Sequence, residues 1–502
     1  MSAELDRRIA VDETPERRGL RAQKIAIAAT LLVAAVVAVA LLLASEPRRS
    51  GVVPAPPDAF ATPISATTGP ACVHGLSVPP KTAGLRARFG TFGESGPTID
   101  FTLADNSGKV IRRSSVTGYA DGDSPIIRFG EIAGGVDGVT ACFSVEKGRL
   151  ALIAPPGLGA TDRTLEFIRP GSETLLSMLP TMMRRASLFR PGGVGPWTFY
   201  LLFLIVIGTT LAAALMLLRL AQGRRWGRTR LIALAAIVFV NAAAWAVLTP
   251  PFHVPDEFAH YAYVETLARG DLPQKSLKPG DPGNSYLPSS VLATEYTTVH
   301  VIQRPDLRPP WEASVERRFE LEYANIKRTG DKPYGLTPAN AYSPIYYAPA
   351  AVIHAAAGGA GLYTKLLLVR LWSALLAALS VMFVVLFARE LLPSVPWFAP
   401  VAGLAVAFQP MFLHIGGGVN NDNLLVVCAT AMLYLLARIL RRGETLPLAA
   451  AAGATFAVGY LVKPTMLGLA PVAAFTFLLV LLRGQGSRTR RATVAFTAAA
   501  TA

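Results

Sequence analysis

Long apolar runs separated by short charged breaks dominate the chain, and one long polar interval interrupts them. The runs occupy 25–44, 197–218, 231–248, 364–387, 397–415, 424–440, 446–462 and 466–482. About 20 apolar helical residues cover the ~30 Å hydrocarbon core of a bilayer, so each run predicts a membrane-spanning helix. The interval from 46 to 196 has a different rhythm. Residues 45–70 are rich in Pro, Ala, Thr and Ser and read as a linker. From 71 to 168, apolar and polar residues alternate in Leu85-Arg86-Ala87-Arg88-Phe89, Thr98-Ile99-Asp100-Phe101-Thr102-Leu103, Ile126-Ile127-Arg128-Phe129 and Ala141-Cys142-Phe143-Ser144-Val145. Turn signals such as Asn106-Ser107-Gly108 and Asp121-Gly122-Asp123 separate these runs. Period-two alternation with such breaks predicts an antiparallel β sandwich. The expected architecture is therefore a mainly α membrane protein, with a polytopic helical bundle over 197–502 and a β-sandwich insert after the first transmembrane helix.

Composition agrees with a bilayer protein. Of the 502 residues, 52% are hydrophobic and only 16% charged, against about 25% charged in soluble domains. The net charge of +15 does not form a soluble basic face. It lies beside apolar runs, in Arg17, Arg18, Arg21 and Lys24; in Arg224, Arg225, Arg228 and Arg230; in Arg438, Arg441 and Arg442; and in Arg483, Arg488, Arg490 and Arg491. That pattern excludes nucleic acid as a partner and sets topology, because cytoplasmic loops retain Lys and Arg. A cytoplasmic N-terminal tail, 1–24, puts every cluster inside. The same orientation puts 46–196, the outer loop 250–363, the turn at 420–422 and Lys463 outside, in a multi-pass protein of the cell membrane. The short apolar stretch 345–360, bounded by Pro344 and two glycines, reads as a helix lying at the outer surface rather than a span. A further apolar run begins near Ala492 and continues to Ala502, as in a fragment of a longer protein.

Cys72 and Cys142 both fall in the outer interval, where oxidation is possible. A bridge between them is expected to stabilise the β region by about 3–5 kcal/mol on the chain-entropy account; the alternative is two separate buried thiols. Cys428 lies within an apolar run, and no cysteine spacing suits a metal.

The densest polar chemistry follows the third run: Thr249-Pro250-Pro251-Phe252-His253-Val254-Pro255-Asp256-Glu257-Phe258-Ala259-His260-Tyr261. Pro255 suits a first helical turn, and Asp256 and Glu257 would sit at its positive end. Asp256 and His260, four apart, would share a helix face, where a carboxylate and an imidazole can hold a divalent ion or relay a proton. An ordinary helix start with a solvated histidine fits the same pattern. The zinc-protease spacing His-Glu-x-x-His is absent, as are a nucleophile elbow and a phosphate-cradling loop; Gly416-Gly417-Gly418 is too short and apolar for the latter. All six histidines (74, 253, 260, 300, 354 and 414) fall on or near the expected outer side.

The stretch from Pro250 to His260 resembles the signature of a bacterial multi-pass family known as domain of unknown function 2142, which itself resembles GT-C glycosyltransferases. Ser343-Pro344-Ile345-Tyr346-Tyr347 is similar to the Pro-Pro-x-Tyr-Tyr element of such enzymes. Arg370-Leu371-Trp372-Ser373-Ala374-Leu375 is similar to the Arg-Leu-x-Ser-Ala-Leu that opens their following span. Asn420-Asn421-Asp422 and Lys463-Pro464-Thr465 follow in the expected order. The resemblance covers 230–482 and implies sugar transfer from a polyprenyl-phosphate donor to a glycan or other envelope acceptor at the outer face of the lipid bilayer. Asp256 matches the general base, with Glu257 the less favoured candidate. His260, Tyr346, Arg370, Asp422 and Lys463 would bind substrate. Arg370, about 9 Å below the outer end of its span, and Lys463 would stabilise the departing phosphate. Asp256 with His260 would hold Mg²⁺ or Mn²⁺ where a metal is used. Two other classes compete. A transporter or flippase of a lipid-linked glycan would gather polar residues near the midplane, and an envelope-assembly scaffold would tolerate loss of Asp256.

Overall fold

A computed structural model describes residues 33, 35–54, 61–153, 163–221, 227–274, 313–329, 338–483 and 487–502. Contacts divide it into a unit of Ile27–Leu179 and a unit of Pro180–Ala502.

The first unit is β-rich. Its strands are Ser45–Pro54 (β1), Ala61–Ser65 (β2), Ala71–Val78 (β3), Thr82–Ala87 (β4), Phe89–Gly90 (β5), Ile99–Ala104 (β6), Val110–Val116 (β7), Ile126–Ile132 (β8), Val136–Ser144 (β9), Arg149–Ile153 (β10) and Arg163–Thr174 (β11). The alternating runs fall on β4, β6, β8 and β9. On β6, Ile99, Phe101 and Leu103 point inward, and on β9 so do Val139, Ala141 and Phe143, because successive strand residues face opposite sides. The Asn106-Ser107-Gly108 turn closes the β6–β7 hairpin. There Asp105 Oδ1 accepts from the Ser107 and Lys109 amides at 2.9 and 3.0 Å, and Gly108 takes the left-handed conformation.

Among the described residues, pairing resolves three antiparallel sheets, in the orders β1-β11-β4-β8, β2-β10-β5 and β3-β9-β6-β7, around one apolar core, where two sheets were expected. The supposed linker is also partly strand. β1 pairs antiparallel with β11, and β2 with β10, so the β-rich unit begins near residue 45 rather than 71. The proline-rich composition misleads here because β1 is a sheet edge, where proline costs no ladder bond. Cys72 and Cys142 face each other directly on β3 and β9, with Cα atoms 4.1 Å apart, and are joined by a disulfide.

The second unit is helical. It comprises Pro196–Ala221 (α2), Arg228–Leu248 (α3), Glu257–Ala268 (α4), Ala313–Thr329 (α5), Tyr347–Ala356 (α6), Leu362–Leu391 (α7), Phe398–Ala407 (α8), Pro410–Gly416 (α9), Asp422–Arg442 (α10), Leu446–Val462 (α11), Ala470–Arg483 (α12) and Arg488–Thr501 (α13), with Leu175–Ala186 (α1) leading into it. The longest, α7, packs against α3 and α10. Among the described residues, five stretches are long and apolar enough to cross a membrane: Pro196–Leu217, Arg228–Leu248, Leu362–Leu391, Asp422–Arg442 and Pro464–Arg483.

Two expected spans differ. The 397–415 run breaks into α8 and α9 with a 64° bend, where Pro410 opens α9 and Gln409 caps it by accepting from the Phe412 amide. The 446–462 run is a helix of 17 residues, about 25 Å long and shorter than the hydrocarbon core. Of the expected first span, 25–44, residues 33 and 35–44 are described and are helical as far as Leu43; the others lie outside the described residues. Within 345–360, α6 has ten residues, about 15 Å, and is too short to span.

Candidate functional site

The site begins where α3 ends. Thr249-Pro250-Pro251 leaves the helix's last carbonyls without backbone donors, since proline has no N–H. Two arginines supply them. Arg190 Nη1 donates to Thr249 O at 2.8 Å and Nη2 to Leu248 O at 3.0 Å. Arg370 Nη1 donates to Ala246 O at 2.7 Å and Thr249 O at 2.8 Å, and its Nη2 to Pro250 O at 2.9 Å. Cations at a helix C-terminus also complement its dipole.

The remaining donors of Arg370 grip Glu257, Nε to Oε1 at 2.8 Å and Nη2 to Oε2 at 2.6 Å. Glu257 Oε1 accepts a third bond, from the Val419 amide at 3.0 Å. Glu257 is fully buried and Arg370 only 2% exposed. All five guanidinium N–H groups are thereby used. Arg370 was expected to meet a phosphate, but it has no donor left for one; it ties α3, α4 and α7 together. Spacing placed it correctly on its helix and could not reveal the carbonyls around it.

Asp256 and Glu257 are neighbours with opposite fates. Asp256 stands just before α4 in a left-handed conformation, φ 56° and ψ 13°, exposed and without a side-chain capping bond. Asp tolerates that region better than most residues, at a cost of order 1 kcal/mol. The expected helix face shared by Asp256 and His260 is not formed, because Asp256 precedes the helix. The Asp256 carbonyl accepts from the His260 amide at 3.1 Å, while the two side chains make no bond to each other. His260 is buried, bonds through Nδ1 to the Tyr347 hydroxyl at 2.7 Å, and has its ring centre 6.2 Å from that of Tyr342 and 5.9 Å from that of Tyr347. Burial lowers its imidazole to about 4; Asp422 opposes that shift and Lys463 adds to it. The carboxylate whose charge His260 feels is Asp422, not Asp256. No group of three or more His, Cys, Asp or Glu side chains suited to a metal occurs among the described residues, so Asp256 and His260 do not fit as a chelating pair.

The other half of the site comes from the break between α9 and α10. Asp422 Oδ1 accepts from Lys463 Nζ at 2.6 Å, both side chains partly exposed at 38% and 25%, and the ammonium lies 5.9 Å from the Tyr342 ring centre. Asn420 joins the halves: its amide donates to the Tyr346 hydroxyl at 3.0 Å, its Nδ2 to Pro255 O at 3.4 Å, and its Oδ1 accepts from the Asp422 amide at 2.8 Å. Asn421 Nδ2 reaches Val462 O at 3.2 Å and so fixes the end of α11. Tyr346, expected to bind substrate, is wholly buried and bonded to Ser373 Oγ at 2.8 Å; it supports the site from beneath.

Tyr342 was missed, and so was the part played by the glycine triplet. A Cβ on Gly417 would lie 2.8 Å from the Ala246 amide nitrogen, and one on Gly418 would collide with Val254. The triplet lets the 417–421 backbone approach α3 and the Val254-Pro255 turn. Three adjacent glycines before a polar triplet were the available signal.

Residues 238–502 match the family model described as a predicted membrane protein, domain of unknown function 2142. The chain belongs to that family. No curated protein and no solved structure matches it. With its several long apolar helices, this member of the family is a multi-pass membrane protein. The matched segment holds the residues of the site just described except Arg190, and it excludes the β-rich unit.

Proposed function

We propose that the chain is a membrane glycosyltransferase of GT-C type, moving a sugar from a polyprenyl-phosphate donor to an envelope acceptor at the extracytoplasmic face, with its N-terminus in the cytoplasm. The observation that carries the reading is the division of labour between adjacent carboxylates. Glu257 is consumed by Arg370, while Asp256 is turned outward, unbonded, beside a turn that Asn420 ties to the Asp422–Lys463 pair. An exposed carboxylate can take the proton of an acceptor hydroxyl. Lys463, oriented by Asp422, supplies positive charge for the departing lipid phosphate, and Tyr342 offers a ring face beside it.

The test is incorporation of labelled sugar from a polyprenyl-phosphate donor in membranes. Asp256→Asn keeps size and removes the basic oxygen; transfer falls by about 10²–10⁴ at unchanged expression. Wild-type transfer by Asp256→Asn sinks the assignment of the base.

One observation favours a second reading, transport of a lipid-linked glycan. The α8–α9 pair is bent by 64°, and broken helices line transport sites. Lipid-linked glycan crossing proteoliposomes without sugar transfer would select it.

A further inference from the structure

A second polar chamber lies on another face of α4, lined by Tyr261 and Glu265 rather than His260. It is a cavity of about 210 Å³ between α4, α5, α6 and the start of α7, walled also by Tyr323, His354, the Gly358-Gly359 turn and Lys365. At ~30 Å³ per water it has room for about seven waters, less than a drug-sized pocket of ~300–1,000 Å³, so its occupant is a small molecule or a headgroup.

Tyr261 is fully buried and His354 nearly so, and Tyr261 Oη lies 3.1 Å from His354 Nε2. Burial, reinforced by Lys365 and Arg269, lowers the His354 imidazole to about 4, so this pair is neutral and suited to hydroxyl groups. Glu265 places a carboxylate on the same wall, its Oε1 paired with Arg269 at 2.8 Å. Lys365, in the first turn of α7, is partly buried, and its ammonium makes no hydrogen bond or ion pair among the described residues. Lys365 and Glu265 both line the chamber but form no ion pair with each other, so the donors of the Lys365 ammonium stay open to an anion. A Cβ on Gly359 would meet nothing within 4 Å, and its backbone takes no left-handed angle, so glycine there leaves the wall open without being demanded by the turn.

We propose that this cavity binds a phosphate-bearing polyol of glycerol phosphate size, with Lys365 on the phosphate and Glu265 and the Tyr261–His354 pair on the hydroxyls. The source is either a soluble polyol phosphate or the headgroup of an anionic phospholipid, since α7 is a membrane-spanning stretch and Lys365 stands in its first turn. The proposal goes beyond sugar transfer and holds whether or not the chain catalyses it.

The full chain in nonionic detergent is titrated with glycerol 3-phosphate. The full chain is also reconstituted in phosphatidylcholine nanodiscs with and without phosphatidylglycerol, and hydrogen exchange over 354–366 is the readout. Saturable protection by glycerol 3-phosphate identifies the soluble source; protection by phosphatidylglycerol alone identifies the lipid. In either case Lys365→Gln and Gly359→Leu each weaken binding at least about tenfold, a loss of about 1.4 kcal/mol, and Lys365→Arg retains it. No protection by either probe, equal protection by phosphatidylcholine, or undiminished binding in both weakened variants overturns the proposal.

Discussion

The β-rich unit and the helical site hold themselves together by opposite means. In the β-rich unit the interior is apolar. Phe89, Phe101 and Phe143 meet with ring centres 5.4–5.5 Å apart on Phe143, and polar residues largely face out along each strand. Its edges are closed by side chains: Arg112 donates to the Gly130 and Glu131 carbonyls at 2.7 Å, bridging β7 to β8. At the helical site the interior is polar, with Glu257, Arg370, His260, Asn420 and Asn421 all buried. Apolar packing is non-directional and tolerates exchange. A buried polar network fails as soon as one partner is lost. The helical unit thus gives up tolerance for fixed geometry where chain segments from α3, α4, α7 and α10 converge.

The sharpest way to break this contrast is Glu257→Ala. Leaving Arg370 buried and unpaired costs about 3–5 kcal/mol. Hydrogen exchange should accelerate in 246–257 and 416–422 while the β-rich unit keeps its protection. Unchanged exchange at 416–422 would show that the Val419 contact carries nothing. The paired change Glu257→Leu with Arg370→Met should recover only part of the loss, because the Ala246, Thr249 and Pro250 carbonyls each lose the bond that Arg370 donates.

In the β-rich unit the corresponding break is covalent. Opening the Cys72–Cys142 bridge, which spans 70 residues, costs about 4 kcal/mol on the chain-entropy account. Cys72→Ser should raise protease sensitivity of 61–153 and leave the helical unit unaffected. Peptide mapping without reductant should show the linked pair in wild-type protein.

Next in size is the pH response of His260. Its folded value of about 4 lies below the ordinary 6.5, so the unfolded chain binds the proton more readily. The associated stability is complete above pH 6.5 and is lost as pH falls toward 4, on the order of 3 kcal/mol in total. Exchange at 257–266 should rise over that window, and His260→Asn should remove the part of the response that His354 does not share.

The smallest effect on stability belongs to Lys463→Met. An ion pair this exposed contributes about 0–1 kcal/mol, so folding should persist while use of the polyprenyl-phosphate donor weakens. A large loss of fold would move Lys463 from the substrate to the framework.

The membrane runs, the β-rich interval and the cysteines placed to bridge it are legible in the order of residues alone. That order also marks the polar cluster after the third run and the family to which residues 238–502 belong. These features are local sums: an apolar run fills a bilayer wherever it folds, and period-two alternation makes a half-buried strand from its own residues. Which of two adjacent carboxylates is buried follows from tertiary packing. The same packing spends Arg370 on α3 and Glu257, sets His260 under the charge of Asp422, and pairs 45–54 with 163–174. Each of those outcomes depends on groups far apart in sequence, 113 residues for Arg370 and Glu257 and 162 for Glu257 and Val419. A buried polar group takes the partner that the fold brings within about 3 Å, and neither periodicity nor spacing carries that distance.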